Sequence, residues 1–503
     1  MAQRSITHKP FGDAGFADRD ELQAHGLLGD APEAVPFGFG VEEGRTSRQK
    51  VIYNGERHSI LFGPNGSGKS LRVAASMLLM AERRSFVVID PKGELAAITA
   101  PFRRSVGEVY VVNPFGTLAD LTGYDDLASC GFNPLSSLDP ASPSFNADAG
   151  LLAEALITME GTQPFFPRSA RNLIAALIMW EVLGCRAERE RGNIVAPSLG
   201  NVRDMLTAPG NAGTEKSPPD GLYRTIAEMA LCPHRGIRNK ASPMLQESRS
   251  IRDVISEAAT QTEFLDDSEL ADDLTKPSLD FHRLRDQPVT VYVILPATMM
   301  ERHTKWLRLV LSSALSSLMA PRSKGQLPVT FLLDEFFPIA NGGLKIIETV
   351  WAYVRGYGIQ IIPILQDLNQ LQDLYPKRWQ TFLSNAGVVA SFGPTDLTTA
   401  EWMARRAGET TDYAQSISDQ EGQGFQPDHK GGIQANFNRG GGVSWSQTRV
   451  PFLDVHTLLN TPEGRLYVWK NGLANTVLTE APLYVDPRLG LKGRARANPY
   501  FSK

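Results

Sequence analysis

The sequence predicts an α/β protein whose mostly parallel sheet is interrupted by an all-α domain. Three observations carry this. Short, wholly apolar runs alternate with helical patterns near both ends of the chain. Such runs are missing between about residues 145 and 285, where helical periodicity takes over. They return from Val289 onward, so one sheet is built from two segments.

The N-terminal extension, 1–48, is polar and glycine-rich, with one helical pattern at Asp18–His25. The first part of the sheet domain spans 49–144. Val51-Ile52-Tyr53, a turn at Asn54-Gly55 and His58–Phe62 read as a hairpin or a pair of strands. A helical pattern follows from Lys69 to about Arg83, then strands at Phe86–Ile89 and Val109–Val112. Within 145–285, helices are expected at Ala147–Met159, Ser169–Leu183, Leu199–Leu206, Leu222–Leu231 and Ile237–Thr262. The second part of the sheet domain, 286–487, carries apolar runs at Val289–Leu295, Val329–Leu333, Ile359–Leu365 and Val388–Phe392. Helices are expected between them at Arg302–Met319, Gly343–Tyr353 and Trp402–Ala407. Residues 415–447, rich in Gly, Gln, Asn and Ser, read as an exposed, mobile loop or an interaction segment. The basic tail, 488–503, reads as a solvated terminus.

Of the 503 residues, 42% are hydrophobic and 21% charged, an ordinary balance for a folded chain. The net charge of −4 means that any nucleic-acid contact must be local. The three cysteines, Cys130, Cys185 and Cys232, form no CxxC pair, which argues against a zinc site or a disulfide framework. They are expected to be reduced, buried thiols of a cytoplasmic protein. The eight histidines show no ligand spacing. No run reaches the roughly 18 apolar residues of a membrane span; Leu173–Leu183 contains Glu181 and reads as a buried helix. The N-terminus has no apolar core and does not read as a secretory signal.

The chemistry is concentrated in a few motifs. Gly63, Pro64, Asn65, Gly66, Ser67, Gly68, Lys69 and Ser70 match G-x-x-x-x-G-K-[ST] between a strand and a helix. The glycines let backbone N–H groups face phosphate oxygens, and the helix adds its positive end. Lys69 is expected to reach the β- and γ-phosphates of ATP, and Ser70 to ligate Mg²⁺. The apolar strand Val329–Leu333 delivers Asp334 and Glu335. Asp334 is the expected second Mg²⁺ ligand, and Glu335 the base that polarises the attacking water. This acidic pair points to hydrolysis rather than simple binding. Asp90-Pro-Lys-Gly-Glu94 ends another strand at the carboxyl edge, where ligands bind; a strand-ending turn with a capped helix is its plainer reading. Arg355, about 20 residues past Glu335, is placed to stabilise phosphoryl-transfer charge in its own or a neighbouring subunit, or simply to sit at a helix C-terminus. Gln366, after the strand Ile359–Leu365, is placed to hydrogen-bond the γ-phosphate or the water, or to be a surface residue.

These pieces resemble the coupling proteins of type IV secretion and conjugation. The resemblance rests on Phe62–Ser70, Val88–Glu94, Asn113-Pro-Phe115, Phe132-Asn-Pro-Leu135, Leu332–Glu335, Arg355–Gly358, Gln366 and Ser384-Asn385-Ala-Gly. It covers nearly the whole chain, from about Phe11 to Pro487. It implies a RecA-like P-loop NTPase domain interrupted by an all-α domain. It also implies an ATPase, hexameric when active or monomeric when alone, that moves DNA or a relaxase–DNA complex into the secretion channel. The all-α domain would recruit the substrate, and Arg355 would act across the subunit interface. Most members begin with transmembrane helices; this sequence does not, so a cytoplasmic protein recruited to the inner membrane through a partner is expected. Two rivals remain from other classes: a receptor for protein substrates of an effector-delivering secretion system, and a septal-type chromosome translocase. The short tail at Gly490–Ala497 is too small for the winged helix usual in the latter.

Overall fold

The computed structural model describes residues 12–159, 164–211, 213, 218–246, 248–276, 279–319, 321–340, 345–353, 356–427 and 433–501; for 345, 352–353, 413–427 and 433–445 it describes the backbone. The strands are β1 (Val35–Glu42), β2 (Arg45–Tyr53), β3 (Ser59–Phe62), β4 (Ser85–Ile89), β5 (Glu108–Val112), β6 (Val289–Val293) and β7 (Val329–Leu333). They continue as β8 (Ile359–Leu365), β9 (Val388–Phe392), β10 (Glu409–Pro427), β11 (Ile433–Pro451), β12 (Arg465–Lys470) and β13 (Val477–Glu480). Eleven of them form one sheet in the order β2-β1-β13-β12-β9-β3-β8-β7-β4-β6-β5.

The run from β9 to β5 is parallel throughout. Its strands β3, β4, β6, β7, β8 and β9 are buried at every position, which is why they read as continuous apolar runs. The strands β12, β13, β1 and β2 extend it in antiparallel fashion. The sheet is thus mostly parallel, with helices on both faces, as the sequence predicts. Of the hairpin or pair of strands expected over 51–62, the structure forms the pair of strands, β2 and β3, which do not pair with each other. β2 turns back on β1 at the sheet edge, while β3 enters the centre. Residues 35–53, partly inside the expected extension, therefore belong to the sheet.

The all-α block contains the helices Phe145–Leu156, Phe165–Glu190, Leu199–Thr207, Gly221–Ala230, Arg235–Ala241, Arg249–Gln261 and Ser268–Asp273. The single helix expected over Ile237–Thr262 is broken. Pro243 has no N–H to continue it, a tight turn forms at Ser242–Leu245, and Ser248 caps a new start by accepting from the Ile251 N–H. The long helix Phe165–Glu190 buries Leu173, Ile174, Leu177 and Ile178 at its middle. Its apolar run is therefore core, as expected. Among the described residues no helix is long and apolar enough to cross a membrane.

Where a loop or an interaction segment is expected over 415–447, Glu409–Pro427 and Ile433–Pro451 form an antiparallel ribbon, β10 paired with β11 in unbroken register from Glu409↔Pro451 to Pro427↔Ile433. Its Gly-, Ser- and Asn-rich composition is poor strand material, yet backbone hydrogen bonds need no side chain. The C-terminal tail is docked although Lys492, Ala497 and Tyr500 remain exposed: Arg494 donates to the Leu79 carbonyl and Arg496 to the Ala97 carbonyl, and their guanidiniums lie over Phe102 and Tyr124. The three cysteines are free, but only Cys232 is buried; Cys130 is exposed and Cys185 intermediate.

Candidate nucleotide site

The P-loop leaves the carboxyl end of β3. Gly66 and Gly68 take left-handed backbones (φ 80° and 83°), which the wrap requires and side chains resist. The chain then enters a π-type turn, Lys69–Ala74, that continues as the helix Ala75–Met80. The Lys69 ammonium donates to the carbonyls of Gly63 and Pro64. Burial pulls its pKa down, while the nearby carboxylates of Glu335 and Asp334 push it up.

β7 lies two strands from β3, and β8 lies between them. At its end Asp334 accepts a hydrogen bond from the Ser70 hydroxyl at 2.7 Å. Burial, and repulsion by Glu335, push its carboxyl up to about 6 against the pull of the Ser70 bond and Lys69. A hydroxyl and a carboxylate already in contact, with a second carboxylate beside them, form an oxygen donor set that fits Mg²⁺. Glu335 holds φ 59°, a left-handed backbone for a residue with a Cβ. That turn ends β7 abruptly and sends the chain into the short helix Phe336–Ala340.

Asp90 ends β4, the neighbour of β7. It is fully buried, and its carboxylate accepts from the Ala96 N–H at 2.8 Å, capping the helix Glu94–Val106. Burial raises its pKa to about 7, and the Asp334 charge adds to this. Its bonding is that of the plainer reading, a strand-ending turn with a capped helix, although it lies beside Asp334. Gln366 follows β8 directly; the Gly63 N–H bonds the Leu365 carbonyl at 3.1 Å, so Gln366 sits next to the start of the P-loop. Its own N–H is held by Gln370 Oε1 at 2.9 Å. Arg355 lies outside the described residues. Lys69, Ser70, Asp334, Glu335 and Gln366 are thus brought together at one edge of the sheet.

Sequence reasoning missed two contributors. Lys92 lies close enough to Lys69 and Asp334 to lower both of their pKa values. The tail reaches the same edge: Tyr500 Oη donates to the Lys92 carbonyl and Asn498 Nδ2 to Glu94, each at 2.6 Å. Lys92 was legible inside Asp90–Glu94; the tail carried no signal beyond its charge.

The family described as type IV secretory system conjugative DNA transfer matches residues 7–431. The chain belongs to that family. A conjugal transfer protein TraG from Escherichia coli is 25% identical over 438 residues, covering 81% of this chain and 66% of that protein. A TraG from Rhizobium radiobacter is 25% identical over 398 residues, covering 76% and 58%. The chain thus spans slightly less than two thirds of the first relative's length. Among solved structures, the conjugative coupling protein TrwBdeltaN70 in complex with sulphate aligns with a TM-score of 0.61 at 14% identity, covering 96% of this chain and 98% of that one. TrwB in complex with ADP and Mg²⁺ aligns with a TM-score of 0.60 at 14% identity, covering 95% and 98%. At that identity the likeness establishes the shared fold of a conjugative coupling protein.

Proposed function

We propose that this chain is an ATP-hydrolysing coupling protein. It recruits DNA or a relaxase–DNA complex and drives its transfer through a type IV secretion channel. The observation that carries this reading is the 2.7 Å contact between Ser70 and Asp334, with Glu335 one residue beyond. It joins a phosphate cradle to a metal-ligand and base pair on one open edge. Membership of the conjugative DNA transfer family supplies the direction of use.

In this mechanism Lys69 leaves the Gly63 and Pro64 carbonyls for the β- and γ-phosphates of ATP. The P-loop N–H groups hold the same oxygens. Ser70 and Asp334 would hold Mg²⁺, which would supply neutralisation of the charge developing on the phosphoryl group. Glu335 takes the proton of the attacking water. Gln366, at the end of the strand between β3 and β7, senses whether the γ-phosphate is present. Arg355 completes the charge on the phosphoryl group from a neighbouring copy in a hexameric ring. DNA is held mainly through its phosphates, so binding weakens steeply with salt. The protein works at the inner membrane, at the secretion channel.

The test is ATP hydrolysis by the purified chain with and without DNA, beside Lys69→Ala and Glu335→Gln, with mass measured on the same samples. DNA-stimulated turnover that both variants abolish, with growth to a multi-subunit ring, is expected. Nucleotide binding with neither rate nor mass responding to DNA would overturn the motor and leave a receptor for protein substrates.

A further inference from the structure

At the other end of the sheet, where the strands begin, lies a cavity of about 330 Å³. Arg84 precedes β4, Pro328 precedes β7 and Gly358 precedes β8, and all three line it. A five-residue strand separates it from the P-loop edge by about 16 Å, so it shares no atom with the nucleotide site.

Arg84 is 2% exposed, and no carboxylate pairs with it among the described residues. Its Nε donates to the Glu33 carbonyl at 2.6 Å, and its Nη1 to Thr330 Oγ1 at 2.6 Å and Gln360 Oε1 at 2.7 Å. Those bonds fix the guanidinium between β7 and β8. Nη2 has no such acceptor, and Arg84 lines the cavity. The contrast is Arg103, equally buried, whose Nε, Nη1 and Nη2 are all engaged by Thr290 and by main-chain carbonyls. Arg103 is a closed structural cation; Arg84 keeps donors in reserve.

Two more arginines share the cavity, the exposed Arg83 and the half-buried Arg322. Arg322 donates through Nε to the Gln326 carbonyl at 2.8 Å and lies 3.6 Å from Glu56. Its stem presses on Gly358, where a Cβ would come within 2.3 Å of Arg322 Cδ. Glu33 and Glu56 also line the cavity, with Glu33 held by Asn54 at 3.4 Å. Burial pulls the Arg84 pKa down to about 10; Glu33 opposes the fall and Arg322 deepens it. Two guanidiniums that repel each other at the wall of a half-enclosed cavity are stabilised by an anion between them, and planar forks suit phosphate oxygens.

We propose that this cavity is a second anion site, which takes a phosphate group on Arg84 and Arg322 with Arg83 at its mouth. The phosphate has two sources: a free phosphoryl compound, or the nucleotide carried by the P-loop edge of a second copy. The second source rests on the ring in the proposed function, whose head-to-tail contacts set one surface of each copy against a different surface of the next.

The experiment titrates inorganic phosphate by calorimetry into the Lys69→Ala chain, whose P-loop lacks its phosphate lysine. Uptake of one phosphate per chain is expected. It should weaken at least tenfold on adding Arg322→Ala, a partly exposed position whose variant keeps the fold, and be unchanged on adding Lys324→Ala. Absence of uptake, or uptake indifferent to Arg322, overturns the proposal, whether or not the chain hydrolyses ATP. A second arm mixes Lys69→Ala with Arg322→Ala chains that are otherwise wild type. Activity lost in Arg322→Ala and regained on mixing identifies the second copy's nucleotide. Full activity in Arg322→Ala alone, with phosphate uptake intact in Lys69→Ala, identifies a free phosphate.

Discussion

The Ser70 hydroxyl and the Asp334 carboxylate, 264 residues apart in the chain, meet at 2.7 Å. The bond joins the two groups to which the proposed function gives Mg²⁺. Replacing Ser70 by Ala should leave the fold intact and weaken Mg²⁺-dependent nucleotide binding at least tenfold, while metal-free nucleotide binding changes little. Fluorescent-nucleotide titration with and without Mg²⁺ reads the difference; an equal loss in both conditions would remove Ser70 from the metal site.

Glu335 joins chemistry to strain. A left-handed backbone costs a residue with a Cβ about 1 kcal/mol that glycine does not incur. Glu335→Gly should therefore raise the denaturation midpoint by about that energy while lowering ATP turnover by about 10²-fold or more. Glu335→Gln should lose the same turnover without the gain in stability.

His58 gives a pH signature. Its Nδ1 accepts from the Ile361 N–H at 2.9 Å, and its ring stacks on Trp351 with centroids 4.2 Å apart. Burial lowers its pKa from 6.5 to about 3. Between those values the unfolded chain binds the proton and the folded chain does not, so this contribution to stability falls as pH drops from about 6.5 toward about 3. His58→Asn keeps the acceptor and loses the ring. It should be less stable than wild type at pH ~7.5, with the gap narrowing by about 2 kcal/mol by pH ~4.5. Urea midpoints across that range check it; a constant gap would contradict the buried, neutral ring.

Arg103 ties the helix Glu94–Val106 to the carbonyls of Ala81 and Arg84 and to Thr290 on β6, with its guanidinium over Phe86. Arg103→Met leaves those carbonyls buried without donors and should cost about 3 kcal/mol. Denaturant unfolding measures it, and ATP binding by the folded fraction should be unchanged.

The parallel strands were legible because burial on both faces leaves no polar alternation to confuse them, and β4, β7, β8 and β9 fall within a residue of their apolar runs. The P-loop and Asp334-Glu335 were legible because their chemistry demands fixed spacing. Strand order was not, since Val329 pairs with both Ser85 and Ile359 through contacts no local pattern encodes. β12 and β13 escaped because they are short and pair in antiparallel fashion with β9, β1 and each other through contacts no local pattern encodes. The ribbon β10–β11 escaped because its order is carried by main-chain bonds in residues that favour loops. Arg84 and Arg322 carried no motif, and only the folded chain sets them against one cavity.

The docked tail has a practical side. Arg494 and Arg496 strap it along the helix Glu94–Val106, and Tyr500 ends on the Lys92 carbonyl. A group attached at Tyr500 would sit beside the phosphate edge rather than in free solution. An affinity handle or fluorescent reporter placed there would compete with nucleotide for room, whereas the exposed turn at Arg191-Gly192, in the all-α block, is a point of attachment on another element.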